Sequence, residues 1–416
     1  MKIMWHSNAP WAPTGYGQQT ALFLPRLQAL GHEIAISAFF GLQGGMGRWG
    51  DMPVYPQDIT GLGKKMLPHY VRHFSDTGSL DDVQVISLMD AWTWIDPTRG
   101  GIADFKGLNL AAWAPVDHDP IPPAVADALD RFATRKIAMS RFGEEQMREV
   151  GFDPLYIPHG VDTEVMQPRE SRNQIRESMR IPEDAFVVGM VANNQGSSPP
   201  RKAFPQVFRA FAEFHRRHPD TFLYLHCEQS GMFDGINLPA AALQCGIPSE
   251  AVAFIDQTKY LMGDISQKEM SHIYSFMDVL ANPSYGEGFG IPIVEAQACG
   301  VPVIVTDWTA MSELCGVGWK VQGDAWYDCG HGVDFMCPSI YKIIDAFEAA
   351  YDQRDVDVRA DAREFAMQYD ADVVVETYWK PALELLEQEL GGGSLPAVTL
   401  NRKQRRAKDR GKTVAA

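Results

Sequence analysis

PSYGEGFGIPIVEAQACGVPVIVTD, residues 283–307, carries a glycine-rich loop, a helix start and a strand in one continuous run. Glu287 lies inside the loop and is followed by Gly288, Phe289, Gly290 and Ile291. Pro292 predicts the opening of a helix, with Glu295 expected in its first turn. Proline suits the first helical position because its missing N–H would lack an intrahelical partner there anyway. Glycines let backbone amides approach a ligand closely, and a helix N-terminus adds unpaired N–H groups and the positive end of its dipole. That assembly suits phosphate. The two carboxylates cannot hold phosphate, but ionised carboxylates accept hydrogen bonds from hydroxyls. Phosphate together with many hydroxyls is the chemistry of a nucleotide sugar. Taken singly, Glu295 could merely complement its helix dipole and Glu287 could be a solvated loop residue. The EGFG loop and the strand-like VPVIVTD beyond the helix favour the joint reading.

The run resembles the E-x7-E signature of retaining GT-B glycosyltransferases of family four, the glycosyl transferases group 1, with Glu287 and Glu295 as the two glutamates. The resemblance implies that Glu287 and the loop amides of Gly288, Phe289, Gly290 and Ile291 hold the donor sugar. It implies that Glu295 binds the ribose hydroxyls, and that the donor is a nucleotide-diphosphate sugar used with no further cofactor. It covers about Lys2 to Leu390 and is strongest over Val188–Lys202 and Asp278–Glu313.

Sugar transfer lengthens the bond from the anomeric carbon to a diphosphate oxygen, so negative charge grows on the departing phosphate. Groups that stabilise this charge more than the ground state accelerate the reaction. VGMVANNQGSSPPRKAF supplies Arg201 and Lys202 after a strand and before a helix, and Lys202 aligns with the family's phosphate-binding lysine. A lone Arg-Lys pair on a loop is ordinarily solvated surface; here its place relative to the strand and the later signature favours the site. Where the family usually has an arginine just after that strand, this chain has Asn193, which can hydrogen-bond phosphate but brings no charge. Near the N-terminus, Gly15 and Gly17 lie in a loop whose amides could face a diphosphate, or could form an ordinary strand-to-helix turn. WAPVDHDPIPP places Asp117 and His118 at the end of a first-domain strand. The resemblance makes them the choices to orient the acceptor hydroxyl. Asp117-His118-Asp119 also spells D-x-D, but so do Asp355–Asp357 and Asp370–Asp372, and the expectation is no metal. His159 and Asp162, in PHGVD, read as structural. Trp92, Trp94 and Trp113 read as core or as stacking surfaces and stay unassigned, and IDQTKY, 255–260, falls where the family cradles the nucleobase.

The chain has 416 residues, 45% apolar and 22% charged, enough for two or three domains with their own cores. No apolar run reaches the length of a membrane-spanning helix. The start, MKIMWHSNAPW, turns polar too soon for a secretory leader, so the expected location is the cytoplasm. Six cysteines fall in the second half without a C-x-x-C pair, as expected of reduced, buried thiols, and Cys329, His331 and Cys337 lack a fourth zinc ligand at suitable spacing. The net charge is −16, but NRKQRRAKDRGK near the C-terminus is strongly basic, leaving an acidic body unsuited to nucleic acid. That tail reads as a disordered solubilising terminus or a weak tether.

Apolar runs alternating with amphipathic stretches predict an α/β protein with parallel sheets. By resemblance the fold is GT-B, with two Rossmann-like domains facing across a cleft and a C-terminal helix crossing back to the first domain. The expected segments are 1–170 as acceptor domain, 171–364 as donor domain, 365–390 as the returning helix and 391–416 as basic tail. The acceptor, whether protein, small molecule or lipid head group, is not legible. A nucleotide-sugar epimerase and a catalytically idle sugar-binding or scaffold protein are the rival readings.

Overall fold

The computed structural model describes residues 1–58, 61–98, 101–196 and 199–392. The basic tail therefore lies outside the described residues. Backbone contacts divide the chain into two compact units. Unit 1 holds Met1–Gly160, Cys329–Val333 and the chain from Ala371; unit 2 holds Val161–Asp328 and Asp334–Asp370.

Unit 1 is built on β1 (Lys2–Asn8), β2 (Glu33–Phe40), β3 (Gly47–Trp49), β4 (Met52–Tyr55), β5 (Val83–Leu88), β6 (Asn109–Ala114), β7 (Arg135–Ala138) and β8 (Leu155–Tyr156). Their spatial order is β3-β4-β2-β1-β5-β6-β7-β8, and every pairing is parallel except β3 with β4. Unit 2 contains β9 (Phe186–Val191), β10 (Thr221–His226), β11 (Val252–Phe254), β12 (Val279–Asn282), β13 (Val303–Thr306) and β14 (Gly318–Val321). They form an all-parallel sheet ordered β11-β10-β9-β12-β13-β14. A separate two-stranded sheet joins β15 (Gly323–Asp328) and β16 (Val333–Pro338). In both main sheets the order reverses beside the first strand, between β1 and β5 and between β9 and β12. This doubly wound arrangement leaves a crevice at the carboxyl ends of those strands.

FVVGMV and TFLYLH become β9 and β10 because each is a continuous apolar run buried along its length, as strands covered by helices on both faces must be. The helix Phe204–Arg217 buries Phe204, Val207, Phe208, Phe211 and Phe214, one stripe at helical spacing. Arg216 and Arg217 fall in its last turn, where positive charge complements the dipole.

The chain's last helical stretch belongs to unit 1. Trp379 is fully buried there, with ring centroids 5.6 Å from Trp5, 5.1 Å from Trp113 and 5.8 Å from Phe23. Trp94 and Trp113 are core residues, whereas Trp92 is only partly buried. Val375–Trp379 is one widened π-helical turn before the helix Lys380–Leu390. Pro381 cannot donate to the carbonyl four residues back, and the widened turn absorbs that lost bond. Among the described residues no helix is long and apolar enough to cross a membrane.

The cysteines depart from expectation. Cys227 and Cys299 are buried, but Cys245, Cys315 and Cys337 are only partly so, and Cys329 is exposed. Cys245 and Cys315 cap helices and Cys329 follows the end of β15, although Cys245 still packs against the core of unit 2.

Candidate functional site

Two loops of unit 2 leave the sheet on either side of its order reversal, one after β9 and one after β12. These strands pair at Val279 with Val188 and at Leu280 with Gly189. Beyond these pairs, the Asn282 side chain bridges the gap: Nδ2 donates to the Val191 carbonyl at 2.8 Å and Oδ1 accepts from the Val191 N–H at 3.2 Å.

The loop after β9 carries Arg201 and Lys202, and the loop after β12 carries Glu287. The structure brings them together. Lys202 Nζ donates to Glu287 Oε1 at 2.5 Å, and Arg201 Nη1 lies 3.2 Å from Glu287 Oε2 and 2.5 Å from the Gly286 carbonyl. The Tyr285 N–H donates to the Arg201 carbonyl at 2.8 Å, joining the loops through backbone as well. From the far side, Thr306 Oγ1 donates to the Ser284 carbonyl at 2.6 Å, and the Glu287 N–H donates to Thr309 Oγ1 at 3.0 Å. Tyr285 is held in turn by Gln206, which donates to its hydroxyl at 2.7 Å, and by the Cys337 thiol at 3.2 Å.

The Glu287 side chain is only 14% exposed. Burial opposes its ionisation, yet the charges of Lys202 and Arg201 and hydrogen bonds from Lys202 and Ser284 bring its pKa down to about 2. A carboxyl group held below its unfolded value contributes stability above that value, and loses it as pH falls through the folded one. Glu287→Gln is therefore expected to destabilise unit 2 near neutral pH by about 2–3 kcal/mol. Denaturant unfolding at several pH values should show the gap to the parent narrowing below about pH 5 and closing near pH 2, the window set by the two pKa values. A gap independent of pH would mean that Glu287 is not held by these cations.

Glu295 sits on the helix Ile291–Ala298, but not in its first turn, which contains no acidic residue. The helix begins one residue before Pro292, with Gly290 as its N-cap at φ +113°, so Glu295 is its fifth residue. The dipole explanation for this carboxylate loses its basis, since the effect fades beyond the terminal turn. Glu295 is buried, and the Tyr274 hydroxyl donates to its Oε2 at 2.7 Å. A β-carbon on Gly290 would lie 2.8 Å from Ile293 Cδ1, so the glycine answers both the backbone angle and a close approach. Phe289 is buried with its ring 5.7 Å from that of Tyr369.

Asn193 is exposed, and its Nδ2 donates to Gln195 Oε1 at 3.0 Å. Its neighbour Asn194 is buried and structural, binding the Glu228 and Ile236 carbonyls and the Ile236 N–H. In the 255–260 stretch, Gln257 begins a short helix and donates to the Cys227 and Ile255 carbonyls.

In unit 1, Gly15 is exposed and Gly17 buried at the start of the helix Gly15–Ala29. A β-carbon on Gly17 would fall 2.3 Å from the Ala12 carbonyl oxygen, so close packing already accounts for that glycine. Asp117 and His118 follow β6; His118 is buried, with Nδ1 2.7 Å from Asp117 Oδ1. His159 is buried against Trp113, ring centroids 4.5 Å apart, and burial lowers its pKa to about 3. In unit 2, Asp162 Oδ1 accepts from the N–H groups of Glu164 and Val165, closing a turn.

Sequence reading alone missed Asn282, Thr306, Thr309, Tyr274 and Tyr285. Only Asn282 carried a local signal, a polar residue ending an otherwise apolar strand just before a proline.

Two doubly wound units are the architecture of the GT-B fold, and unit 2 gathers two cations and a carboxylate beside its order reversal, next to a glycine-capped helix. Residues 187–328, about a third of the chain, match the family model of glycosyl transferases group 1. D-inositol 3-phosphate glycosyltransferase 2 of Catenulispora acidiphila is 31% identical over 233 residues, 51% of this chain and 51% of that protein. D-inositol 3-phosphate glycosyltransferase of Corynebacterium jeikeium is 34% identical over 157 residues, 36% of this chain and 34% of the relative. The matched stretch thus spans about half the length of the first relative and about a third of the second. Among solved structures, sucrose-phosphate synthase from Thermosynechococcus elongatus superposes with a TM-score of 0.69 at 15% identity, covering 95% of this chain and all of that one. HepE of Anabaena, in complex with UDP-glucose, gives 0.66 at 16%, covering 92% of this chain and all of that one. At these identities the likeness speaks for the fold.

Proposed function

We propose that this chain transfers a sugar from a nucleotide-diphosphate sugar to an acceptor hydroxyl, retaining anomeric configuration and using no metal. The observation that carries this reading is the Glu287 carboxylate set between Lys202 and Arg201. Lysine and arginine offer donors and charge to a diphosphate, while an ionised Glu287 offers only acceptors, which suit sugar hydroxyls. Its depressed pKa keeps it ionised throughout the physiological range. Glu295 supplies a second acceptor, for the ribose, and the amides from Gly288 to Ile291 face the sugar and phosphate. Arg201, reaching Glu287 alongside Lys202, provides the second positive charge that Asn193 cannot. That second charge supports sugar transfer over a catalytically idle protein. We assign acceptor recognition to unit 1, with Asp117 and His118 orienting the hydroxyl.

In the reaction the bond from the anomeric carbon to the phosphate oxygen breaks, and the acceptor oxygen bonds to that carbon on the same face. The departing phosphate oxygen takes the acceptor's proton, so no separate base is needed. Lys202 and Arg201 neutralise the charge that develops on the leaving group.

Thermal unfolding with a panel of nucleotide sugars tests the donor class. A ligand at 100 times its dissociation constant stabilises by about 2.7 kcal/mol, so a matching donor should raise the midpoint and the bare sugar should not. Proton NMR of the first product should then show the donor's anomeric coupling preserved. Conversion of donor to an isomer without acceptor would mean an epimerase instead. Inversion in the product would overturn the same-face mechanism while leaving the donor site intact.

A further inference from the structure

Among the described residues five other than glycine have a positive φ: Leu62, Arg180, Ala203, Asp234 and Thr309. Thr309, at φ +52°, is the β-branched member of this set. A β-branched side chain is crowded against its own backbone in that region, and such a conformation persists only where the surroundings over-determine it. Two of the five residues adjoin the candidate site. Ala203 directly follows Lys202, and Thr309 accepts the Glu287 N–H through Oγ1 at 3.0 Å.

The surroundings do hold Thr309 in place. The Asp307 N–H donates to the Val321 carbonyl at 2.9 Å, and the Trp308 N–H to the Thr306 carbonyl at 2.8 Å. Ser312 Oγ donates to Asp307 Oδ1, and Ala310, Met311 and Leu314 are fully buried. Glycine would adopt the same φ without crowding, but it would bring no acceptor for the Glu287 amide. The hydroxyl is therefore what threonine contributes at this position.

Resting on the donor-site reading above, we propose that Thr309 is a positioning residue for the donor sugar. Its strained backbone presents a hydroxyl that fixes the Glu287 peptide, and so aims the carboxylate between Lys202 and Arg201. Thr306, anchoring the Ser284 carbonyl, holds the same loop three residues earlier.

This role makes stability and function move apart, which a merely structural role does not. The test compares the parent protein, Thr309→Ser and Thr309→Gly by three readouts: thermal midpoint, amide hydrogen exchange at Glu287 without ligand, and affinity for UDP-glucose as probe. Thr309→Gly should keep or raise the midpoint, because the strain is relieved. Losing one amide hydrogen bond should speed exchange at Glu287 about tenfold and weaken UDP-glucose binding by a similar factor. Thr309→Ser, which keeps the hydroxyl, should match the parent in exchange and affinity. Parental exchange and affinity in Thr309→Gly would overturn the proposal, and so would equal losses in the serine and glycine variants. Should the parent bind neither UDP-glucose nor any other nucleotide sugar, the donor reading fails by itself. The exchange comparison would still decide whether Thr309 fixes Glu287.

Discussion

Lys202→Ala is expected to lower turnover by about 10²–10³-fold, or about 3–4 kcal/mol in the activation barrier, the usual cost of removing one preorganised donor from a developing negative charge. The effect should fall mainly on kcat. On the proposed reading Arg201 would still hold the ground-state diphosphate, whereas the leaving oxygen would lose one of its two cations. The same change leaves Glu287 with Arg201 as its remaining cationic partner, so its pKa should rise from about 2. A folded protein with parental kcat would remove Lys202 from the chemistry. Replacement by arginine is not a neutral control, because a planar fork does not reproduce a compact ammonium charge.

Glu295→Gln is expected to act on affinity instead. A hydrogen bond to a charged group is worth about 1.5–3 kcal/mol, so donor affinity should fall roughly ten- to hundredfold while turnover at saturating donor changes little. Glutamine is chosen over alanine because Tyr274 is fully buried and its hydroxyl needs the acceptor that Glu295 now provides. The amide oxygen keeps that bond and so separates loss of charge from loss of packing. Calorimetric titration with the active donor settles the matter: an unchanged dissociation constant would mean Glu295 serves only as the anchor of Tyr274.

Much of the architecture could be read directly from the chain, and the reason is physical. Strands buried on both faces are mostly apolar, so Phe186–Val191, Thr221–His226 and Val83–Leu88 announce themselves at their observed bounds, although Gln84 and Ser87 interrupt the last. Short edge strands carry no such mark. Gly47–Trp49, and Gly323–Asp328 in the separate pair, are half exposed and owe their form to a neighbour. At the site, residue type and spacing pointed to Glu287 and Lys202, although 85 positions separate them. The supports were less visible. Tyr274 lies 21 positions before the carboxylate it binds, and Thr309 lies 22 after the amide it holds. Nothing local distinguishes either from an ordinary core or loop residue. Asn193 and Asn194 show the limit most sharply: adjacent and identical, one faces solvent and the other staples a loop.

The Asn282 amide carries one last implication. Where β9 and β12 part, a side chain stands in for the missing peptide unit, with a donor and an acceptor matched to Val191. Because it spans both strands, the cationic loop and the acidic loop share a single mooring, and any drift of one strand end drags the other along. Loops that carry opposite charges are thus referenced to a common point on the sheet, and their separation is set by strand ends rather than by the loops alone.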